Sequence, residues 1–206
     1  VPDRMHDEVV ERLIALTKTL QIGQPLDPAT DIGPLISKRQ QETVLSYIEN
    51  GKQEGATLVC GGHAVDVRGC EGGHFVAPTI FTNVKNGMKI AQEEIFGPVL
   101  SVIRYHDVEE AVAMANETIY GLAAGVWTRD VNKAYAIAGR LRAGVVWIND
   151  WHMLRNDAPF GGYKQSGIGR EMGKYSLDAY TQLKHVHTSM VPELEKRKWY
   201  QVLFSK

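Results

Sequence analysis

"PVLSVIRYHDVEEAVAMANETIYGLAAGVWTRDVNKAYAIAGRLRAGVVWIN", residues 98–149, settles the class of fold. Three apolar, β-rich runs stand in it: "PVLSVIRY", "GLAAGVWT" and "GVVWIN". Between the first two lies "DVEEAVAMANET", a helix opened by Asp107 with Glu110 three residues on, a pairing that satisfies free N–H groups at a helix start. Between the second and third lies "DVNKAYAIAGRLR", a helix expected to run to Gly144. Apolar runs separated by helices of about 10 to 15 residues are βαβ units, whose strands lie parallel in a sheet covered by those helices. The fold class is α/β, a parallel sheet with flanking helices.

Toward the N-terminus, "DRMHDEVVERLIALTKTL" sets Met5, Val9, Leu13, Leu16 and Leu20 at helical spacing, an amphipathic helix with charges on its other face. "QIGQPLDPATDIGPL" holds too many prolines and glycines for a regular element and reads as an ordered loop. Ser37 and Gln40 form a capping box for a second helix carrying Val44, Leu45 and Ile48, with a stop near Gly55. "TLVCGG" is a short strand, residues 61–73 a glycine-punctuated hairpin, and "HFVAPTIF" a strand that Pro78 makes edge-like or bulged.

Composition narrows the function. The 206 residues are 44% hydrophobic and 23% charged, ordinary globular material, and the formal charge of −1 offers no field for nucleic acid or an anionic membrane. No apolar stretch reaches the roughly 18 residues of a membrane span and no leader is legible, so a soluble cytoplasmic protein acting on a small molecule is expected. Two cysteines, Cys60 and Cys70, are too few for a disulfide-built fold. The chain begins "VP", as if partway through something longer.

Two connections are too long to be simple links: residues 82–98 and 150–169. Loops beyond about 12 to 15 residues are usually functional or disordered, and both leave the carboxyl end of an expected strand, where open parallel sheets bind ligands. The first contains "IAQEEIFGPVLSV". A carboxylate such as Glu94 accepts two hydrogen bonds at once, matching the adjacent hydroxyls of a ribose, and the flat Phe96 can pack on a heterocycle. Gly97 and Pro98 would fix the bend that aims both. The plainer alternative has the glutamates capping a short helix or facing solvent and Phe96 in the core.

"QEEIFGPV", "GQPLDPATDIGPLIS", "YGLAAGVWTRD", "RAGVVWIN" and "PFGGYKQSGIGRE" together resemble the C-terminal part of the NAD(P)-dependent aldehyde dehydrogenase superfamily, over about residues 7–188. The resemblance implies oxidation of an aldehyde to a carboxylic acid through a thioester, with NAD or NADP as cofactor. It implies that Glu94 binds the nicotinamide ribose, that Phe96 contacts the nicotinamide ring, and that Leu154 and Phe160 wall the aldehyde tunnel. Glu171 resembles a residue that helps relay a proton during deacylation. Alternatively, Glu171 sits in the first turn of a helix after Gly169, where the helix dipole favours a carboxylate.

Departures from the family are as informative. Its nucleophilic cysteine, general-base glutamate and oxyanion-binding asparagine lie upstream of the first helix here, and Cys60, in "VCGGH", lacks the "GQxC" setting. The isolated chain is therefore expected to be inactive. An alternative is that the chain is itself a non-catalytic association module or a remnant of a split gene. Cys60, His63, Cys70 and His74 have ligand chemistry for zinc, but the valines alternating between them suit a hairpin, and no metal is expected. "GIGREMG" imitates a phosphate-binding fingerprint without its preceding strand, so it is read as turn chemistry.

Three regions follow: a partial catalytic domain over 1–179, a strand over 180–190 and a tail over 191–206. "YTQLKHVHTSM", Tyr180 to Met190, is polar and β-rich, and such a strand needs something to cover its edge. The resemblance implies that it pairs with a neighbouring subunit in a homo-dimer or tetramer; the plain alternative is an edge strand within its own domain. Trp199, Tyr200, Val202, Leu203 and Phe204 in the tail are expected to dock on the same or a neighbouring subunit.

Overall fold

A computed structural model describes residues 1–204. The chain forms two compact units, one of Val1–Met153 with Gly162–Ile168, the other of Leu154–Gly161 with the chain from Gly169 on.

In the first unit, helix α1 (His6–Thr17) and helix α2 (Lys38–Gln53) cover a three-stranded sheet from opposite sides. Its order is β1 (Thr57–Cys60), β4 (Thr79–Thr82) and β5 (Val99–Ser101). Successive strand residues point to opposite faces. In β4, Ile80 accordingly meets Val10, Val102 and the half-buried Leu13 and Ile14 on the α1 side. Phe81 meets Val44, Ile48, Met88 and Ile90 on the α2 side. Between β1 and β4 the chain makes a small antiparallel ribbon of β2 (Ala64–Val65) and β3 (Phe75–Val76).

Helix α3 (Lys89–Gln92) precedes β5, and α4 (Val108–Glu117) follows it. A second sheet pairs β6 (Ala123–Val126) in parallel with β7 (Val145–Ile148), with α5 (Val131–Ala138) between them in sequence. Helix caps fall where the sequence places them, except that the Gln40 side chain turns to Ile95 O and Phe96 O and does not close a capping box at Ser37. Ser37 Oγ accepts from Gln40 N, Asp107 Oδ1 from Glu110 N and Asp130 Oδ1 from Lys133 N, and the Glu110 carboxylate accepts from His106 N.

Several expectations are corrected. Parallel pairing is present as expected in β6–β7 and also in β4–β5, while β1–β4, for which no direction was expected, is antiparallel. The connection from Cys60 to Thr79 is a chain reversal through Gly61 and Gly62, both at positive φ, not a helical crossover, and a reversal returns a strand antiparallel. Among the described residues β5 and β6 stand in separate sheets, so α4 does not link two strands of one sheet. The "HFVAPTIF" strand is not an edge: Pro78 divides it, and β4 lies fully buried at the centre of its sheet. Pro78 sits just before β4, so its missing N–H removes no ladder bond.

α1 buries His6 and Val10, while Leu16 and Met5 are exposed, so its inward face is rotated from the one expected. α5 ends at Ala138, not near Gly144. Asn116 is the reason: its side chain donates to Arg140 O at 2.9 Å and accepts from Arg142 N at 2.7 Å, holding those residues out of the helix.

In the second unit, α6 (Leu177–Tyr180) and α7 (Lys198–Phe204) flank residues 181–193, which form neither helix nor strand. No strand is present over 180–190: Tyr180 ends α6, and the following backbone has no ladder partner within the described residues. In the tail Trp199 and Phe204 remain exposed and Tyr200 is half-buried, and the rings gather on one another, with Tyr200 and Phe204 ring centroids 4.9 Å apart.

Candidate functional site

The face of α2 that repeats at i, i+4, i+7 and i+11 carries Gln40, Val44, Tyr47 and Gly51. Each of the four meets the segment from Lys89 to Gly97. Gly51 lies so close to Ile90 that a Cβ there would come within 2.9 Å of its Cδ1. Tyr47 donates its hydroxyl to Glu93 Oε2 at 2.6 Å, and Lys89 approaches the same oxygen at 3.9 Å while lying 5.1 Å from the Tyr47 ring centroid. The bond to the Glu93 carboxylate, helped by partial burial, raises the Tyr47 pKa above the ordinary phenol value.

Gln40 Nε2 donates to Ile95 O at 3.0 Å and to Phe96 O at 3.1 Å. These bonds hold a turn in which Phe96 takes a φ of 53°, a conformation costly for a bulky residue. Ile95 points into the core, and the ring of Phe96 is left 74% exposed. Gly97 is required by contact: a Cβ there would stand 2.5 Å from Val44 Cγ2. Pro98 O then accepts from Thr79 N at 2.8 Å and leads into β5.

The two adjacent carboxylates are thereby distinguished. Glu93 is engaged by Tyr47 and Lys89, whereas Glu94 is exposed and its carboxylate has no hydrogen bond or ion pair among the described residues. Glu93 is the C-cap of α3, its N–H donating to Lys89 O, and both glutamates face solvent, as the plainer alternative had it, but Phe96 is not core. Pro34, Leu35, Ile36, Gln40 and Phe96 line an open hollow of about 380 Å³ beside this turn.

The second long connection begins at the carboxyl ends of β6 and β7. Asn149, at φ 55°, brackets Thr128: its Oδ1 accepts from Thr128 N at 2.8 Å and its Nδ2 donates to Thr128 O at 2.9 Å. Beyond it, Trp147 on β7 donates Nε1–H to Met153 O at 2.9 Å, and the Trp151 ring packs on Trp147 and Trp127 at 5.1 and 6.5 Å. "GGYKQSG" is sewn to "YGLAAG" by Tyr163 N to Gly121 O, Gln165 N to Ile119 O and Gly121 N to Ser166 Oγ, at 2.8 to 3.0 Å. Lys164 Nζ donates to Asn116 O and Thr118 O at the end of α4. Its desolvation, with Arg142 near, lowers its pKa below the usual lysine value.

Leu154, Phe160 and Glu171 belong to the second unit. Leu154 is 42% exposed and Phe160 half-buried. Phe160 and Glu171 face each other in an antiparallel bridge, their N–H groups donating to each other's carbonyl at 2.8 Å. Glu171 is therefore not in a helix, which corrects the helix-dipole alternative, and its carboxylate accepts from Tyr180 Oη at 3.2 Å. Gly167, Gly169 and Gly173 all have positive φ, the geometry of turns and not of a helix-opening phosphate loop. Cys60 pairs with Ile80 in the sheet and packs against the α1-side core, a structural place for a thiol. Among the described residues no three His, Cys, Asp or Glu are placed to share a metal ion, and no helix is long and apolar enough to cross a membrane.

Sequence reasoning missed Gln40 and Tyr47 as members of this site. The signal was available: two polar residues share a helix face with Val44, and a polar group on a buried face needs a partner. Trp147 was missed as the anchor of the second loop, since an indole in an apolar strand reads simply as core.

The chain matches the sequence model of the Aldehyde dehydrogenase family over residues 1–186. A betaine aldehyde dehydrogenase of Brucella anthropi is 50% identical over 190 residues, 92% of this chain and 39% of that protein. The NAD+ complex of an aldehyde dehydrogenase from Bacillus cereus superposes with a TM-score of 0.88 at 47% identity, covering 93% of this chain and 38% of its own. A point mutant of betaine aldehyde dehydrogenase from Staphylococcus aureus in complex with NAD+ gives 0.90 at 43% identity, covering 94% and 40%. The chain thus spans about two fifths of the length of the relatives it matches. Because the match takes in both sheets and both of the long connections that leave them, the chain belongs to the aldehyde dehydrogenase family.

Proposed function

We propose that this chain is the C-terminal part of an enzyme that oxidises an aldehyde to a carboxylic acid through a thioester, and that residues 89–97 form one wall of its NAD(P) site. One observation carries the reading: an exposed, unengaged carboxylate, Glu94, stands two residues from an exposed aromatic ring, Phe96, on a turn that α2 holds from below. The arrangement fits a nicotinamide riboside, because Glu94 has both carboxylate oxygens free to accept from two ribose hydroxyls and Phe96 offers a flat apolar face. When bound, NAD(P) supplies the hydride acceptor of the oxidation. Glu94 orients the ribose, and Phe96 limits where the adjoining ring can lie. The nucleophile and general base belong to sequence upstream of Val1, so the 206 residues alone are inactive.

Leu154 and Phe160 serve as apolar walls for the aldehyde, and Glu171, its carboxylate held by the Tyr180 hydroxyl, takes part in proton relay. Residues 1–179 act as part of the catalytic domain of a cytoplasmic enzyme. Residues 180–190 pair with a strand of a neighbouring subunit, in keeping with their exposure and lack of any partner strand here, and 191–206 form a tail.

The test is Glu94→Gln in the full-length polypeptide. Losing charge-assisted contacts worth roughly 1–3 kcal/mol lowers the hydride-transfer rate or cofactor affinity by roughly 5- to 150-fold, with the fold intact. Unchanged cofactor affinity and unchanged kinetics would overturn the assignment.

A further inference from the structure

Two neighbouring glutamates at a cofactor wall pose a problem of selection. Either could swing toward a ribose, and the two charges repel each other wherever both face the same space. The structure removes one of them from competition. Glu93 is tied back to α2 through the 2.6 Å bond from Tyr47 Oη, and Lys89 lies close to the same carboxylate oxygen. Tyr47 and Glu93 are 46 residues apart in sequence, so the bond spans from helix to turn. The phenol is also oriented by the Lys89 ammonium near its ring.

We infer that Tyr47 is a positioning residue for the cofactor site: by holding Glu93 against α2 it fixes the entry to the 93–97 turn, and with it the direction in which Glu94 is presented to the ribose. The inference rests on the function proposed for Glu94. Tyr47 itself touches neither cofactor nor aldehyde in this scheme. Its hydroxyl acts through Glu93, and Gln40 acts in parallel on the carbonyls at the other end of the turn. The elevated pKa of the phenol agrees with a proton committed to the Glu93 oxygen.

The experiment compares variants of the full-length polypeptide by calorimetric titration with NAD+, by steady-state kinetics and by thermal unfolding. Tyr47→Phe removes one hydroxyl at a half-buried position and leaves the ring in place. Both Tyr47→Phe and Glu93→Ala are expected to weaken NAD+ binding about 3- to 10-fold, as for one charge-assisted hydrogen bond, with the KM for aldehyde unchanged. Combining them should weaken binding no further, since both break the same contact. Glu93→Gln, whose amide oxygen still accepts from Tyr47, should stay close to the parent. A general packing defect would instead shift the unfolding midpoint and the KM for both substrates together.

The outcomes separate the two readings. If Glu94→Gln weakens NAD+ binding while Tyr47→Phe and Glu93→Ala do not, the positioning role is wrong and the proposed function stands. Additive losses in the double variant would also overturn the positioning role. If Glu94→Gln leaves both NAD+ binding and hydride transfer unchanged, the proposed function fails and this inference fails with it.

Discussion

Replacing Gly97 by alanine tests the contact that seats the cofactor-wall turn on α2. The backbone of Gly97 lies outside the positive-φ region, so the substitution adds a methyl without conformational strain. That methyl would lie 2.5 Å from Val44 Cγ2 and 2.9 Å from Val44 Cγ1, whereas non-bonded carbons rest about 3.5–4.0 Å apart. Val44 is fully buried and, being β-branched in a helix, has essentially one rotamer to occupy. The turn must therefore lift by about 1 Å to restore ordinary contact. Overpacking of this kind costs roughly 1–3 kcal/mol. At about 2–4 °C per kcal/mol for a chain of this size, scanning calorimetry should show a fall of roughly 2–12 °C in the unfolding midpoint. The lift also stretches the bonds from Gln40 to Ile95 and Phe96, so NAD+ affinity measured by titration should fall as well. Adding Val44→Ala removes the two obstructing methyls and should restore NAD+ affinity to the Gly97→Ala variant, although the core is then less well filled. A Gly97→Ala variant with the parent's midpoint and the parent's affinity would refute the close-approach argument.

Two further outcomes follow from local chemistry. Asp130→Ala removes the side-chain acceptor at the start of the eight-residue α5 and should destabilise the protein by about 0.5–2 kcal/mol in denaturant titration, while Asp130→Asn should cost much less. Asp7 has a pKa below its ordinary value of 3.8 because it accepts from His6 and from Arg104. Its stabilisation is present above that ordinary value and is lost as pH falls through the depressed one, so Asp7→Asn should flatten the acid limb of stability against pH below about 4.

The α/β class was legible because periodicity and caps agree: Asp107, Asp130 and Ser37 each accept the N–H three residues on, where sequence placed a helix start. Strand neighbours were less so. Nothing local to "GLAAGVWT" states whether it pairs with "PVLSVIRY" or with "GVVWIN", because that choice depends on packing between distant segments. The inward face of α1 was misjudged for a related reason. His6 is polar by composition yet buried, with Nδ1 bonded to Asp7, and a hydrophobicity count cannot anticipate that. At the candidate site, the carboxylate and ring were readable from "EEIFGP" itself. Which glutamate would be left free was not, because Tyr47, far away in sequence, decides it. The missing strand over 180–190 follows the same logic: a β-rich sequence supplies donors and acceptors, but a strand exists only where a second backbone answers them.

The clustered indoles at the carboxyl ends of β6 and β7 give the molecule a built-in optical gauge. Trp127 and Trp147 belong to the sheet or adjoin it, while Trp151 rides on the loop that follows β7. Any excursion of that loop changes the distance and tilt between chromophores whose coupling shapes near-ultraviolet circular dichroism and emission. Loop motion can therefore be timed by stopped-flow spectroscopy on the unlabelled protein, with Trp151→Phe supplying the silent control.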